Sequence, residues 1–106
     1  MIVARFVVRC RPERTEEVAT AIAAVEAPSR ELPGVVHFDV ARSLTDPDTL
    51  VVLEVFEDEQ ALQRQDAQAE VATVLRLVDA GALVREPEWT VWKASATVDP
   101  TEVGAG

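Results

Sequence analysis

Pro33-Gly34-Val35-Val36-His37-Phe38-Asp39-Val40-Ala41-Arg42-Ser43-Leu44-Thr45-Asp46-Pro47-Asp48-Thr49-Leu50-Val51-Val52-Leu53-Glu54-Val55-Phe56-Glu57-Asp58 is the stretch whose reading decides the fold. Two runs rich in Val, Leu and Phe flank a short break containing Asp-Pro-Asp, and this spacing predicts a β-hairpin. Pro33-Gly34 breaks the chain ahead of it, and Asp58 is placed to cap a helix behind it. The hairpin is expected to form the centre of a sheet.

Upstream, residues 2 to 10 alternate, with Ala4, Phe6, Val8 and Cys10 on one face and Val3, Arg5, Val7 and Arg9 on the other. This predicts a first strand, ended by Arg11-Pro12 because proline donates no ladder hydrogen bond. From Glu13 the period becomes helical: Val18, Ala21, Ile22 and Val25 fall at i, i+3, i+4 and i+7. Glu13, Glu16 and Glu17 occupy the first turns, where the helix dipole favours negative charge. Pro28 is expected to kink this helix or end its regular part, leaving Ser29 to Leu32 as a looser last turn.

Downstream, Asp58 opens a short helix through about Gln65. A second helical stretch carries the stripe Val71, Val74, Leu75 and Val78 and stops at Gly81. Residues 82 to 86 connect it to a last strand over residues 88 to 94. Residues 1–95 therefore read as one domain and residues 96–106 as a flexible C-terminal tail. The order β, α, β, β, α, β predicts an α+β fold, the ferredoxin-like plait, with a four-stranded antiparallel sheet and helices on one face.

A plait of this kind exposed on its second face should alternate apolar and polar residues along each strand. These strands do not. Val36, Phe38 and Val40 are expected on one face of the second strand. In the third, Leu50, Val52 and Phe56 face one way and Val51, Leu53 and Val55 the other. Trp89 and Trp92 are an odd number of residues apart and so point to opposite faces. Helices cover only one face, and a second copy of the same sheet would cover the other, which predicts a homodimer.

Composition narrows the function. The 106 residues hold 19 acidic and 10 basic side chains, a net charge of −9, which disfavours nucleic acid and anionic membrane surfaces as partners. Arg5 and Arg9 interrupt the apolar N-terminal run, unlike a signal-peptide core, and no apolar segment nears the roughly 20 residues of a membrane span. Cys10 is the single cysteine, so no internal disulfide is expected and a cytoplasmic location fits. No His pair sits at metal-ligand spacing, and there is no phosphate-binding Gly loop or nucleophile elbow.

Ala27-Pro28-Ser29-Arg30-Glu31-Leu32-Pro33-Gly34, a strand, then Asp46 through Leu62 resemble the antibiotic biosynthesis monooxygenase family, and with the first strand the resemblance covers roughly residues 2 to 94. It implies a dimeric α/β barrel. It further implies oxidation of a flat aromatic substrate, such as a quinol, anthrone or polyketide-like compound, by molecular oxygen without a bound cofactor. Members often carry Trp where this chain has Phe56 and His where it has Gln65 and Glu70, and this chain has no Tyr.

Such chemistry needs a base or anion-stabilising group in a dry pocket. His37, the one histidine, and Glu54, set in an apolar strand, are the candidate catalytic residues. Arg5, Phe38, Phe56, Trp89 and Trp92 are the candidate substrate-binding residues, with Phe6 a further aromatic. The competing readings are structural: a solvent or interface role for His37, a buried ion pair of Glu54 with Arg5 or Arg9, and plain core for the aromatics. Cys10 reads as a small buried hydrophobe. The alternative function is a non-catalytic, small-ligand-binding or stress-related dimer of the same fold.

Overall fold

The computed structural model describes residues 1–103; residues 104–106 of the expected tail lie outside the described residues. The elements are β1 (Ile2–Arg9), a short 3-10 turn (Pro12–Arg14), α1 (Thr15–Arg30), β2 (Val35–Arg42), β3 (Thr49–Phe56), α2 (Glu59–Asp66), α3 (Ala69–Asp79) and β4 (Glu88–Lys93). They form the ferredoxin-like plait: one antiparallel sheet in the order β2-β3-β1-β4, with the helices on one face.

The hairpin contributes one central strand, β3, and one edge strand, β2. The expectation that both would be central is corrected because α1 carries the chain out to the edge, where β2 forms, and the hairpin then folds β3 back into the centre between β2 and β1. The hairpin turn is built from short-range bonds. Thr49 donates its amide to the Asp46 carbonyl at 2.9 Å and its hydroxyl to the Asp46 carboxylate at 2.6 Å. Asp48 ties the turn to the start of α1, accepting from the Thr15 hydroxyl at 2.8 Å.

A second correction lies in β2. Val35 pairs with Phe56 and His37 with Val55, so Val35 and Val36 together oppose Phe56 in a β-bulge. The extra residue reverses the alternation upstream of it. Val35 joins Phe38 and Val40 against the core, and Val36 is left exposed.

Helix α1 runs through Pro28 to Arg30 without a break. Proline removes the bond to the Ala24 carbonyl, and Ala24 lies on the exposed side, where water can satisfy that oxygen. Gly34 has φ +84°, and a Cβ there would approach the Ala61 Cβ at 2.7 Å. The turn thus needs glycine both for its backbone and for the close seat of α2. Asp58 caps α2 by accepting from the Ala61 amide at 2.9 Å.

The main core joins Val8, Cys10, Phe38, Leu50 and Val52 of the sheet side to Val18, Ile22 and Val25 of α1 and Val74 of α3. A smaller cluster of Ile2, Ala4, Phe56 and Ala61 sits under α2. The other face carries three rungs across the strands: His37-Val55-Val3-Trp92, Asp39-Leu53-Arg5-Thr90 and Ala41-Val51-Val7-Glu88. Trp92 there is 48% exposed and Leu53 41%. No described helix is long and apolar enough to cross a membrane.

Candidate active site

The helices do not cover the whole inner face. Helix α1 packs on α3 and β2. A cavity of about 230 Å³ lies between the helices and the inner face of the sheet, with Phe6, Phe38, Val52, Glu54 and Trp89 of the sheet on one wall. The helical wall holds Ile22, Val25, Gln65, Asp66, Val71, Val74 and Leu75. Its volume is just below the ~300 Å³ at which ordinary small-molecule pockets begin. Trp89 pairs across the strands with Phe6 and is 55% exposed, which makes it the rim.

Glu54 is 8% exposed and has no hydrogen bond or ion pair among the described residues. Its neighbours in the ladder are Ala4 and Phe38, so the carboxyl stands among apolar groups. Burial, with a smaller push from the charge of Asp66, raises its pKa from 4.5 to about 7. The Asp66 carboxyl is itself raised by partial burial. A buried pair of Glu54 with an arginine does not form. Alternation puts Arg5 and Arg9 on the opposite face, where Arg9 meets Glu88 at 2.9 Å.

The structure brings together Glu54, Phe38 and Trp89 of the expected site residues, with Phe6 beside them. It does not bring the others to this cavity. His37 is exposed on the outer face, in the rung with Val3 and Trp92, and Arg5 lies one rung away. Phe56 is fully buried in the smaller cluster under α2. Cys10 is part of the main core. No three His, Cys, Asp or Glu side chains gather closely enough to hold a metal ion among the described residues.

Gln65 and Asp66 are site residues that the pattern of apolar positions did not single out. The available signal was spacing: Gln65 lies four residues after Ala61 and three after Leu62, and so on the inward face of α2. Gln65 is only 1% exposed. An acid near neutrality, a buried amide and three aromatic rings in an apolar recess can bind a flat ring, take a proton from it and hold the resulting charge.

The sequence profile described as antibiotic biosynthesis monooxygenase matches residues 1–76. Among solved structures, an antibiotic biosynthesis monooxygenase superposes with a TM-score of 0.79 at 19% identity, covering 91% of this chain and 100% of that one. Rv0793 from Mycobacterium tuberculosis superposes with a TM-score of 0.82 at 18% identity, covering 92% and 98%. PA3566 from Pseudomonas aeruginosa gives 0.78 at 20%, covering 90% and 94%. At these identities the likeness is one of fold. No curated protein matches the chain.

Proposed function

The chain belongs to the antibiotic biosynthesis monooxygenase family, and on that premise we propose that it oxidises a flat aromatic quinol, anthrone or polyketide-like substrate with molecular oxygen and without a bound cofactor. The observation that carries this reading is Glu54: an unpaired carboxyl with a pKa of about 7, facing an apolar cavity rimmed by Trp89. A closed core with Glu54 paired would have favoured a purely structural or ligand-binding dimer.

In this mechanism the ring lies against Phe6, Phe38 and Trp89 of the sheet wall, and Ile22, Val25, Val71 and Val74 of the helical wall cover it and exclude water. For a ring methylene of the anthrone type, the Glu54 carboxylate takes one proton. The carbanion then passes an electron to oxygen, and the radical pair combines to a peroxide anion. The Glu54 carboxylic acid returns its proton to that anion. Loss of water from the hydroperoxide, assisted by the Glu54 carboxylate, leaves a new carbonyl. One oxygen atom enters the product and the other leaves in water.

A homodimer through the outer sheet face belongs to the same proposal. It is supported by Trp92, Leu53 and Val36, all more than two-fifths exposed on one face. His37 and Arg5 would then lie at the interface. Cytoplasmic action is also part of the reading, supported by the lone free thiol of Cys10. The test is oxygen uptake by the purified protein over a panel of anthrones and quinols. Uptake above the uncatalysed rate for at least one member supports the proposal; none above background across the panel overturns it.

A further inference from the structure

Two buried polar side chains, Ser29 and Gln65, and the half-buried Gln68 form a chain behind the cavity whose direction is determined by its first member. The Ser29 hydroxyl donates its only proton to the Val25 carbonyl at 2.6 Å, a back-bond within α1. Its oxygen can then only accept from the Gln68 side chain, 3.1 Å away, so the atom facing it is the Gln68 amide nitrogen. That same nitrogen lies 2.7 Å from the Gln65 side chain, and two amide nitrogens cannot hydrogen-bond to each other, so Gln65 presents its carbonyl oxygen to Gln68. The Gln65 NH2 group is therefore turned away from the chain.

That NH2 group has no hydrogen-bond partner among the described residues. Among the described residues, every side-chain nitrogen or oxygen closed off from solvent does have a partner. The Gln65 nitrogen must therefore open onto accessible space, and the space that Gln65 lines is the cavity. A 99% buried amide with two free N–H donors facing an apolar recess is incomplete without an acceptor there.

We infer that Gln65 is the cavity's acceptor-recognising group, donating to a carbonyl or phenolate oxygen of the bound ring, and that Ser29 and Gln68 are positioning residues that hold its amide in the donating orientation. The ligand class follows from the polar pair. Gln65 takes an acceptor oxygen, while Glu54 and Asp66 disfavour any negative charge brought in from solution. The fitting ligand is a neutral aromatic ring bearing a carbonyl, or a hydroxyl that ionises only once bound; ring carboxylates, sulfonates and phosphates are excluded. The inference rests on the oxygenase reading for its role in turnover, where the donor would stabilise the oxyanion. Its test does not depend on turnover.

The test compares 1-indanone with indane, flat bicyclic molecules that differ in one carbonyl and undergo no oxidation in the assay. Affinities are read from amide chemical shifts of cavity-wall residues, under nitrogen. Wild-type protein should prefer the ketone. Gln65→Met, which keeps the shape and removes the donors, should lower the ketone-to-hydrocarbon affinity ratio by roughly fivefold. Its affinity for indane should stay the same, which also shows that the cavity remains folded. Ser29→Ala, which frees both amides to turn, should lower the same ratio. Equal binding of the two probes by wild type, an unchanged ratio in Gln65→Met, or an equal loss for both probes overturns the role of Gln65. An unchanged ratio in Ser29→Ala overturns the positioning chain. Failure of oxygen uptake with these binding results intact would overturn the oxygenase reading alone.

Discussion

The carboxyls of Glu54 on β3 and Asp66 at the end of α2 line one apolar cavity with no cation paired to either among the described residues, and the charge of Asp66 helps keep Glu54 protonated. A base works only in its ionised form, so oxygen uptake per unit substrate should rise with pH through about 7. Asp66→Asn removes the repelling charge and should move the midpoint to lower pH. The check is the pH profile of kcat/KM for both proteins.

The same shift predicts stability. The folded protein holds the Glu54 proton more tightly than the unfolded chain, so between pH 4.5 and about 7 the native state binds more protons and stability falls as pH rises. The displacement from 4.5 to about 7 corresponds to roughly 3 kcal/mol, reached in full above pH 7. Glu54→Gln avoids burying that charge. Urea unfolding should show the variant and wild type alike near pH 4 and the variant more stable at pH 8 by up to that amount.

Much of this arrangement is written in local pattern. Alternation in β1 and β3 and the 3.6-residue stripe of α1 specify which face each side chain takes, and Glu54 stands out because it interrupts Val52 and Phe56. The same alternation placed Arg5 and Arg9 away from Glu54, on the opposite face from its ladder partner Ala4. The bulge at Val35-Val36 left no such mark, since both residues are equally suited to either face. Strand order is a property of long-range pairing, so β2 at the edge reads no differently from a central strand. Gln65 was hidden because α2 is a mostly polar helix, and only its neighbours Ser29 and Gln68, distant or turned by the fold, give its amide a direction.

Glycine at position 34 meets two requirements that a second glycine separates. Gly34 and Gly81 both have φ +84°, but only Gly34 has a neighbour, the Ala61 Cβ, in the way of a side chain. Gly34→Ala should lose at least about 2 kcal/mol, lowering Tm by roughly 10 °C. Gly81→Ala should lose only the backbone share, about 1 kcal/mol. Equal losses in thermal unfolding would show that α2 moves freely to make room.

The outer sheet face supplies a prediction on assembly. Leu53 lies between Asp39 and Arg5 in the middle rung and is 41% exposed. Within one subunit Leu53→Glu sets the attraction of Arg5 against the repulsion of Asp39, whereas in a face-to-face dimer it places buried charge. Sedimentation equilibrium should give about twice the 11.5 kDa chain mass for wild type and the single-chain mass for the folded variant.

The most direct measurement is oxygen consumption by wild type and Glu54→Gln, side by side at pH 8, with a substrate that wild type oxidises. Loss of the base should lower kcat by roughly a hundredfold or more while indane affinity stays unchanged. A Glu54→Gln protein that consumes oxygen at the wild-type rate would contradict the assignment of Glu54 as the base.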